Sequence, residues 1–126
     1  MQEGNKILII DDDARNIFAL MAVLRSRKLT CISASYMHEA ITILSCDKSI
    51  TVILLDMMMP EMDGYEAIPH IREIDGYEKV PVIAVTAQAM KGDKERCLEA
   101  GANGYVAKPV DIDQLMELLN LYLVSP

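Results

Sequence analysis

Five short apolar runs punctuate the chain, at 7–10, 31–34, 52–55, 80–85 and 105–107. Between them apolar positions recur at helical spacing, so the pattern predicts a strand followed by a helix, five times over. The runs at 7–10, 52–55 and 80–85 are nearly unbroken in Ile, Leu and Val instead of alternating with polar residues. Unbroken runs of this kind suit parallel strands covered by helices on both faces, which predicts that these three are central. No composition break, linker or internal repeat interrupts the series, so one α/β domain over residues 1–126 is expected.

The helix boundaries carry their own signals. Ile17, Leu20, Met21 and Leu24 recur behind Asp13, which suits an N-cap, while Asp63 with Glu66 and Asp111 with Gln114 make capping-box patterns for the third and fifth helices. Gly101 follows a helical stretch ending at Ala100, where a left-handed closing residue is commonly needed. Pro69 lies inside the third helical stretch. There it deletes a donor and clashes with the preceding turn, at about 3 kcal/mol, which predicts a kink or an early break. Gly92 is read as interior to the fourth helix, weakening it by up to about 1 kcal/mol. In the fifth helix Ile112, Leu115, Met116, Leu119 and Leu123 share the core face, leaving Leu118 and Leu121 outward as a candidate interface.

Composition narrows the partners. With 12 Lys and Arg against 19 Asp and Glu, the net charge of -7 has the wrong sign for tracking phosphate backbones, so no direct nucleic-acid contact is expected. Cys31, Cys46 and Cys97 are odd in number and far apart, forming neither a closed disulfide set nor a CxxC motif; reduced thiols in a cytoplasm fit them. No apolar run reaches spanning length and the start at 1–6 is polar, so no membrane segment or targeting signal is expected. His38 and His70 read as surface residues, Cys97 as core, and Met57, Met58, Met59 and Met62 as loop packing.

In a parallel α/β sheet the ligand site forms beyond the carboxyl ends of the strands. Asp11, Asp12 and Asp13 follow the first run, Asp56 the third, Thr86 the fourth, and Lys108 with Pro109 the fifth. Taken singly, Asp11 to Asp13 read as a solvated turn with a helix cap, and Asp56 as a turn initiator. The combination reads differently. With the first and third strands adjacent, Asp11, Asp12 and Asp56 converge, and a hard divalent cation, Mg2+, is the natural means of keeping three carboxylates ionised. Asp56 is then a nucleophile toward phosphorus, with Lys108 and Thr86 contacting phosphate oxygens.

The segments Ile9-Ile10-Asp11-Asp12-Asp13, Leu54-Leu55-Asp56-Met57-Met58-Met59-Pro60-Glu61-Met62-Asp63-Gly64, Val85-Thr86-Ala87 and Gly104-Tyr105-Val106-Ala107-Lys108-Pro109 resemble, in order and spacing, the receiver domain of two-component response regulators. The resemblance spans the chain and implies a flavodoxin-like (βα)5 fold with strand order 2-1-3-4-5. It implies further that Asp56 is the phosphoacceptor, Asp11 and Asp12 the acidic metal pair, and Met58 the residue whose backbone carbonyl completes the Mg2+ site. Thr86 matches the switch hydroxyl, Tyr105 the switch aromatic, and Lys108 the lysine that a cis proline, here Pro109, usually follows. The stretch 86–93 with 97–101 resembles receivers attached to hybrid sensor histidine kinases.

By the same resemblance the partner is a sensor histidine kinase or a histidine phosphotransfer protein, and the domain catalyses its own aspartyl phosphorylation and slow dephosphorylation. The fourth helix, fifth strand and fifth helix would meet a second copy or a neighbouring domain. Met58 departs from the polar side chains that family members often carry beside the acceptor, Gln88 stands at the corresponding variable position after Thr86, and Pro69 departs from the family's third-helix pattern. An aspartyl-phosphate phosphatase would need a second Asp where Met58 stands, and a nucleotide or flavin carrier would need a phosphate-cradling loop where Asp11 to Asp13 stand. The alternative that survives is an interaction module, a pseudo-receiver, that no longer accepts phosphate.

Overall fold

The computed structural model describes residues 6–87 and 92–123. Five strands alternate with five helices: β1 (Lys6–Ile10), α1 (Ala14–Ser26), β2 (Thr30–Ala34), α2 (Met37–Cys46), β3 (Ile50–Asp56), α3 (Gly64–Arg72), β4 (Val82–Thr86), α4 (Asp93–Glu99), β5 (Gly104–Ala107) and α5 (Ile112–Asn120). The strands form one parallel sheet in the order β2-β1-β3-β4-β5. As the unbroken apolar runs predict, β1, β3 and β4 are the inner three. The fourth strand starts at Val82 instead of residue 80, because Pro81 has no N–H for the ladder and contributes only its carbonyl, to the Ile53 N–H at 2.9 Å.

Alternation along each strand divides the core in two. Leu8, Ile10, Ile53, Leu55, Val82 and Ala84 meet α2, α3 and α4 through Ala40, Leu44, Ala67, Ile68, Ile71 and Cys97. Ile7, Ile9, Val52, Leu54, Ile83, Val85 and Val106 meet α1 and α5 through Leu20, Leu24, Leu115 and Leu119. Both His38 and His70 are exposed and Cys97 is fully buried, as expected. Among the described residues no helix is long and apolar enough to cross a membrane.

Three further expectations change. The third helix runs through Pro69 without an early break, since the Asp63 side chain caps it, Ile68 and Ile71 are fully buried against the sheet, and the proline itself is exposed. Packing outweighs the missing hydrogen bond. Gly92 precedes α4 instead of lying within it, as an N-cap with φ of 87° in the left-handed region; Gln88 lies outside the described residues. Leu118 is half-buried on the α1/α5 side of the sheet and covers Gly104, whereas Leu121 is exposed as expected.

Two helices close with the same device. At the end of α4 the Ala102 N–H donates to the Cys97 carbonyl and the Gly101 N–H to the Leu98 carbonyl; after α1 Leu29 and Lys28 donate likewise to Leu24 and Arg25. The left-handed position is Gly101 in one (φ 113°) and Lys28 in the other (φ 67°). A Cβ on Gly101 would lie 2.9 Å from the Ile68 Cγ2. Opposite responses follow: Lys28→Gly should raise the unfolding free energy by about 0.5 kcal/mol as steric strain is relieved, and Gly101→Ala should lower it by about 1–3 kcal/mol. Urea denaturation of both variants against the native chain checks the signs.

Candidate functional site

The site forms where the inner strands end. Asp56 is the last residue of β3, and Asp11 directly follows β1, its N–H bound to the Ala34 carbonyl of β2 at 3.0 Å. Because β1 pairs with β3, the two side chains emerge at one edge. Asp12 joins them from the surface, and ligand oxygens of Asp11, Asp12 and Asp56 all lie within 4.8 Å of one another. Asp11 and Asp56 are almost wholly buried, 2% and 3% exposed, while Asp12 is exposed.

Each buried carboxylate is held by named donors. Asp56 Oδ1 accepts the Met58 N–H at 3.0 Å. Asp11 Oδ1 accepts the Asp13 N–H at 2.9 Å, and its Oδ2 accepts the Asn16 side-chain amide at 2.5 Å. Asp13 in turn caps α1, accepting from the N–H groups of Arg15 and Asn16. One short segment thus orients the carboxylate of Asp11 and starts the helix that follows.

The counter-charge comes from the other side of the sheet. β5 ends at Ala107, and the Lys108 N–H donates to the Thr86 carbonyl at 2.8 Å. That bond aims the ammonium between the two buried acids, 3.4 Å from Asp11 Oδ2 and 3.5 Å from Asp56 Oδ2. The Lys108–Pro109 peptide is cis, as the resemblance implies. Thr86 ends β4 and is fully buried, paired in register with Ala107.

Burial is the largest influence on Asp56 and pushes its pKa up to about 6. The Met58 N–H and Lys108 oppose this, and the Asp11 charge adds to it. Partial burial disfavours the Lys108 ammonium, but the two carboxylates outweigh it and hold the group above its ordinary range. The electrostatic shortfall therefore rests on the acids. Three oxygen donors that one lysine leaves under-compensated fit a hard divalent cation, so the donor set passes the chemical test for Mg2+.

The sequence-predicted residues Asp11, Asp12, Asp56 and Lys108 are brought together here, and Thr86 adjoins them through its backbone. Tyr105 stands three residues before Lys108 on β5, half-buried, with its hydroxyl directed to Asp93 at 3.4 Å. Of the loop methionines Met57 and Met59 are buried and Met62 packs against the core, whereas the Met58 side chain is 46% exposed, so the packing expectation fails for it. The turn explains this: the Met58 N–H is taken by Asp56, and the Met57 carbonyl binds the N–H of Gly64, whose missing Cβ makes room for Met57. Sequence reasoning missed Asn16. Its place three residues after the cap resembles a capping-box partner, but the amide reaches Asp11 instead.

The chain is similar to known proteins along most of its length. A family model described as response regulator receiver domain matches residues 7–120. The sensor histidine kinase RcsC of Escherichia coli is 38% identical over 116 residues, which is 92% of this chain and 12% of RcsC. The chain therefore spans about an eighth of the length of that relative. Among solved structures, the receiver domain of the sensor histidine kinase PA1611 from Pseudomonas aeruginosa, crystallised with a magnesium ion coordinated in its active site cleft, is 34% identical. Its TM-score is 0.84, covering 94% of this chain and 97% of that one. The receiver domain of Ssk1 from Saccharomyces cerevisiae, in complex with the histidine phosphotransfer protein Ypd1, is 26% identical with a TM-score of 0.84, covering 97% and 90%.

The raised pKa of Asp56 has a measurable sign. Without metal, the folded chain holds the Asp56 proton more tightly than the unfolded chain, so stability falls as pH rises from 3.8 to about 6 and stays lower above that. In the presence of a chelator Asp56→Asn should therefore gain on the order of 2 kcal/mol near neutral pH, and nothing below about pH 4. Urea unfolding at several pH values checks this; a constant difference across the range would contradict it.

Proposed function

The chain belongs to the response regulator receiver domain family, and from that premise we propose that it accepts a phosphoryl group from a phosphohistidine onto Asp56, with Mg2+ held by Asp11, Asp12, Asp56 and the backbone carbonyl of Met58. The observation that carries this reading is the convergence of three carboxylates and the Lys108 ammonium at the ends of β1, β3 and β5.

An Asp56 carboxylate oxygen attacks phosphorus, and the O–P bond forms as the P–N bond to the donor imidazole breaks, its electron pair returning to the ring nitrogen. Asp56 is fixed for attack by the Met58 N–H on Oδ1, which leaves Oδ2 toward Lys108. Lys108 follows the transferring group's oxygens, exchanging an ion pair with Asp56 for one with the phosphoryl group. Bound Mg2+ would neutralise the charge gathered by the acids and the phosphoryl oxygens. Burial of Asp56 limits the access of water to the acyl phosphate and so slows its hydrolysis.

The new group brings about one to two negative charges and three acceptors. The Thr86 hydroxyl turns to donate to it, Tyr105 moves into the space released, and the surface made by α4 and β5 changes. The donor is a sensor histidine kinase or a histidine phosphotransfer protein, the class of partner seen with the Ssk1 receiver. Exposed Leu98 on α4 and Leu121 beyond α5 make the changed face suited to a second copy or a neighbouring domain.

With a small-molecule phosphodonor and Mg2+, intact-mass spectrometry should find one added phosphoryl group on the native chain and none on Asp56→Ala, with Lys108→Met slowed about 10²-fold. No addition to the native chain, or equal addition to Asp56→Ala, would favour the pseudo-receiver. Calorimetric Mg2+ titration gives a separate check on the metal site: Asn16→Ala should weaken binding by roughly tenfold or more, because Asp11 loses the group that orients it. Unchanged affinity would show that Asn16 is only a helix residue.

A further inference from the structure

The buried carboxylate farthest from the acidic cluster in function is Asp93, the first residue of α4 and only 7% exposed. Its Oδ1 accepts the Tyr65 hydroxyl of α3 at 2.8 Å, and its Oδ2 lies 3.4 Å from the Tyr105 hydroxyl of β5. One carboxylate thus ties three elements together. Among the described residues Asp93 makes no ion pair: the Arg96 guanidinium sits over the Tyr65 ring instead, 4.4 Å from its centroid. Cys97 adds a third contact, its Sγ 3.7 Å from the Tyr65 hydroxyl.

The two arms are unequal. Tyr65 is held on three sides by Asp93, Arg96 and Cys97, and its bond to the carboxylate, at 2.8 Å, has the ordinary length of a well-made O–H···O hydrogen bond. Tyr105 is held by a long contact to the other oxygen. The Tyr65 arm therefore fixes α4 against α3, and the Tyr105 arm is the one that can open without unseating the helix.

We infer that Asp93 is a positioning residue for the switch: pinned by Tyr65, it holds Tyr105 against α4 and so opposes the movement of that ring which accompanies phosphorylation. The inference rests on Asp56 as phosphoacceptor. The path between the two is short, since Tyr105 pairs in register with Ala84, and Lys108, three residues on, is bonded to Thr86. A contact made in one arrangement of Tyr105 and absent in the other biases the equilibrium by the strength of that contact, and a ligand that favours the second arrangement must overcome it.

Beryllofluoride with Mg2+, a phosphoryl mimic for carboxylates, supplies the test, read by calorimetry and by NMR of ring-labelled tyrosine. Tyr105→Phe removes the weak arm alone, and Asp93→Asn removes the carboxylate. Each should bind beryllofluoride about fivefold more tightly than the native chain, the ratio expected from losing one net hydrogen bond. Because Asp93 acts through Tyr105, adding Asp93→Asn to Tyr105→Phe should give little further gain, whereas a general loosening of the fold would add. In Asp93→Asn the ring signals of Tyr105 should move, without ligand, toward their beryllofluoride-bound positions. If Asp93→Asn fails to fold, Tyr105→Phe still decides the matter. Native and variant affinities that are equal, weaker variants, or additive gains would overturn the clasp while leaving Asp56 as acceptor. Failure of the native chain to bind beryllofluoride would instead end the phosphoacceptor reading, and the clasp's role with it.

Discussion

Repulsion among Asp11, Asp12 and Asp56 is the constraint around which the molecule is arranged. Two unit charges 4.8 Å apart repel by roughly 3 kcal/mol at the effective dielectric of a protein surface, and a single ammonium offsets only part of three such pairs. A loose scaffold would let the acids separate. Here they are mounted at the ends of two inner strands, β1 buried from Ile7 to Ile10 and β3 from Val52 to Asp56. The cost of exposing those strands to water exceeds what separating the carboxylates would return. Stability is thus given up locally to keep a site charged, and its recovery awaits a cation or a change of protonation.

How far this was legible from sequence depended on the range of the interactions involved. Strands β1, β3 and β4 announce themselves because burial on both faces removes every polar residue from the run, and their central places follow from that same fact. The caps at Asp13, Asp63 and Asp111 bond to N–H groups two or three residues on and were readable locally. The structure overturns the early break at Pro69 and the interior place of Gly92 for opposite reasons. The proline sits in a helix held by Ile68 and Ile71, whose burial no local rule contains, and the glycine reads as interior only until the position of α4 is known. Leu118 was assigned outward because helical geometry alone does not reveal that Gly104 leaves a hollow for it.

The acids and Lys108 were legible as strand ends, but the residues that orient them were not all so. Asn16 looks like an ordinary first-turn residue until Asp11 is seen to bend back beside it. Asp93 is harder still: its partners Tyr65 and Tyr105 lie 28 and 12 residues away, and nothing in their own neighbourhoods marks a tyrosine that will meet a carboxylate. Polar contacts between elements have no periodicity, so they become visible only when the sheet order sets α3, α4 and β5 side by side.

The helices are consequently unequal in how they are held. Helices α1 and α5 are held by buried leucines, Leu20 and Leu24 on one and Leu115 and Leu119 on the other, and opening such contacts leaves cavities that cost about 2–5 kcal/mol for each large side chain lost. On the opposite face α4 is a short helix with one fully buried apolar side chain, Cys97, and among the described residues its polar attachments run from Asp93 to two tyrosines and from Arg96 and Cys97 to Tyr65. A hydrogen bond can be exchanged for one to water at a net cost of about 0.5–1.5 kcal/mol. If Asp56 is phosphorylated as proposed, that difference directs a displacement started at Thr86 and Lys108 toward α4 rather than toward α1 or α5. In the proposed switch α1 and α5 are the fixed frame, and the clasp at α4 is the part that an added charge on Asp56 would move.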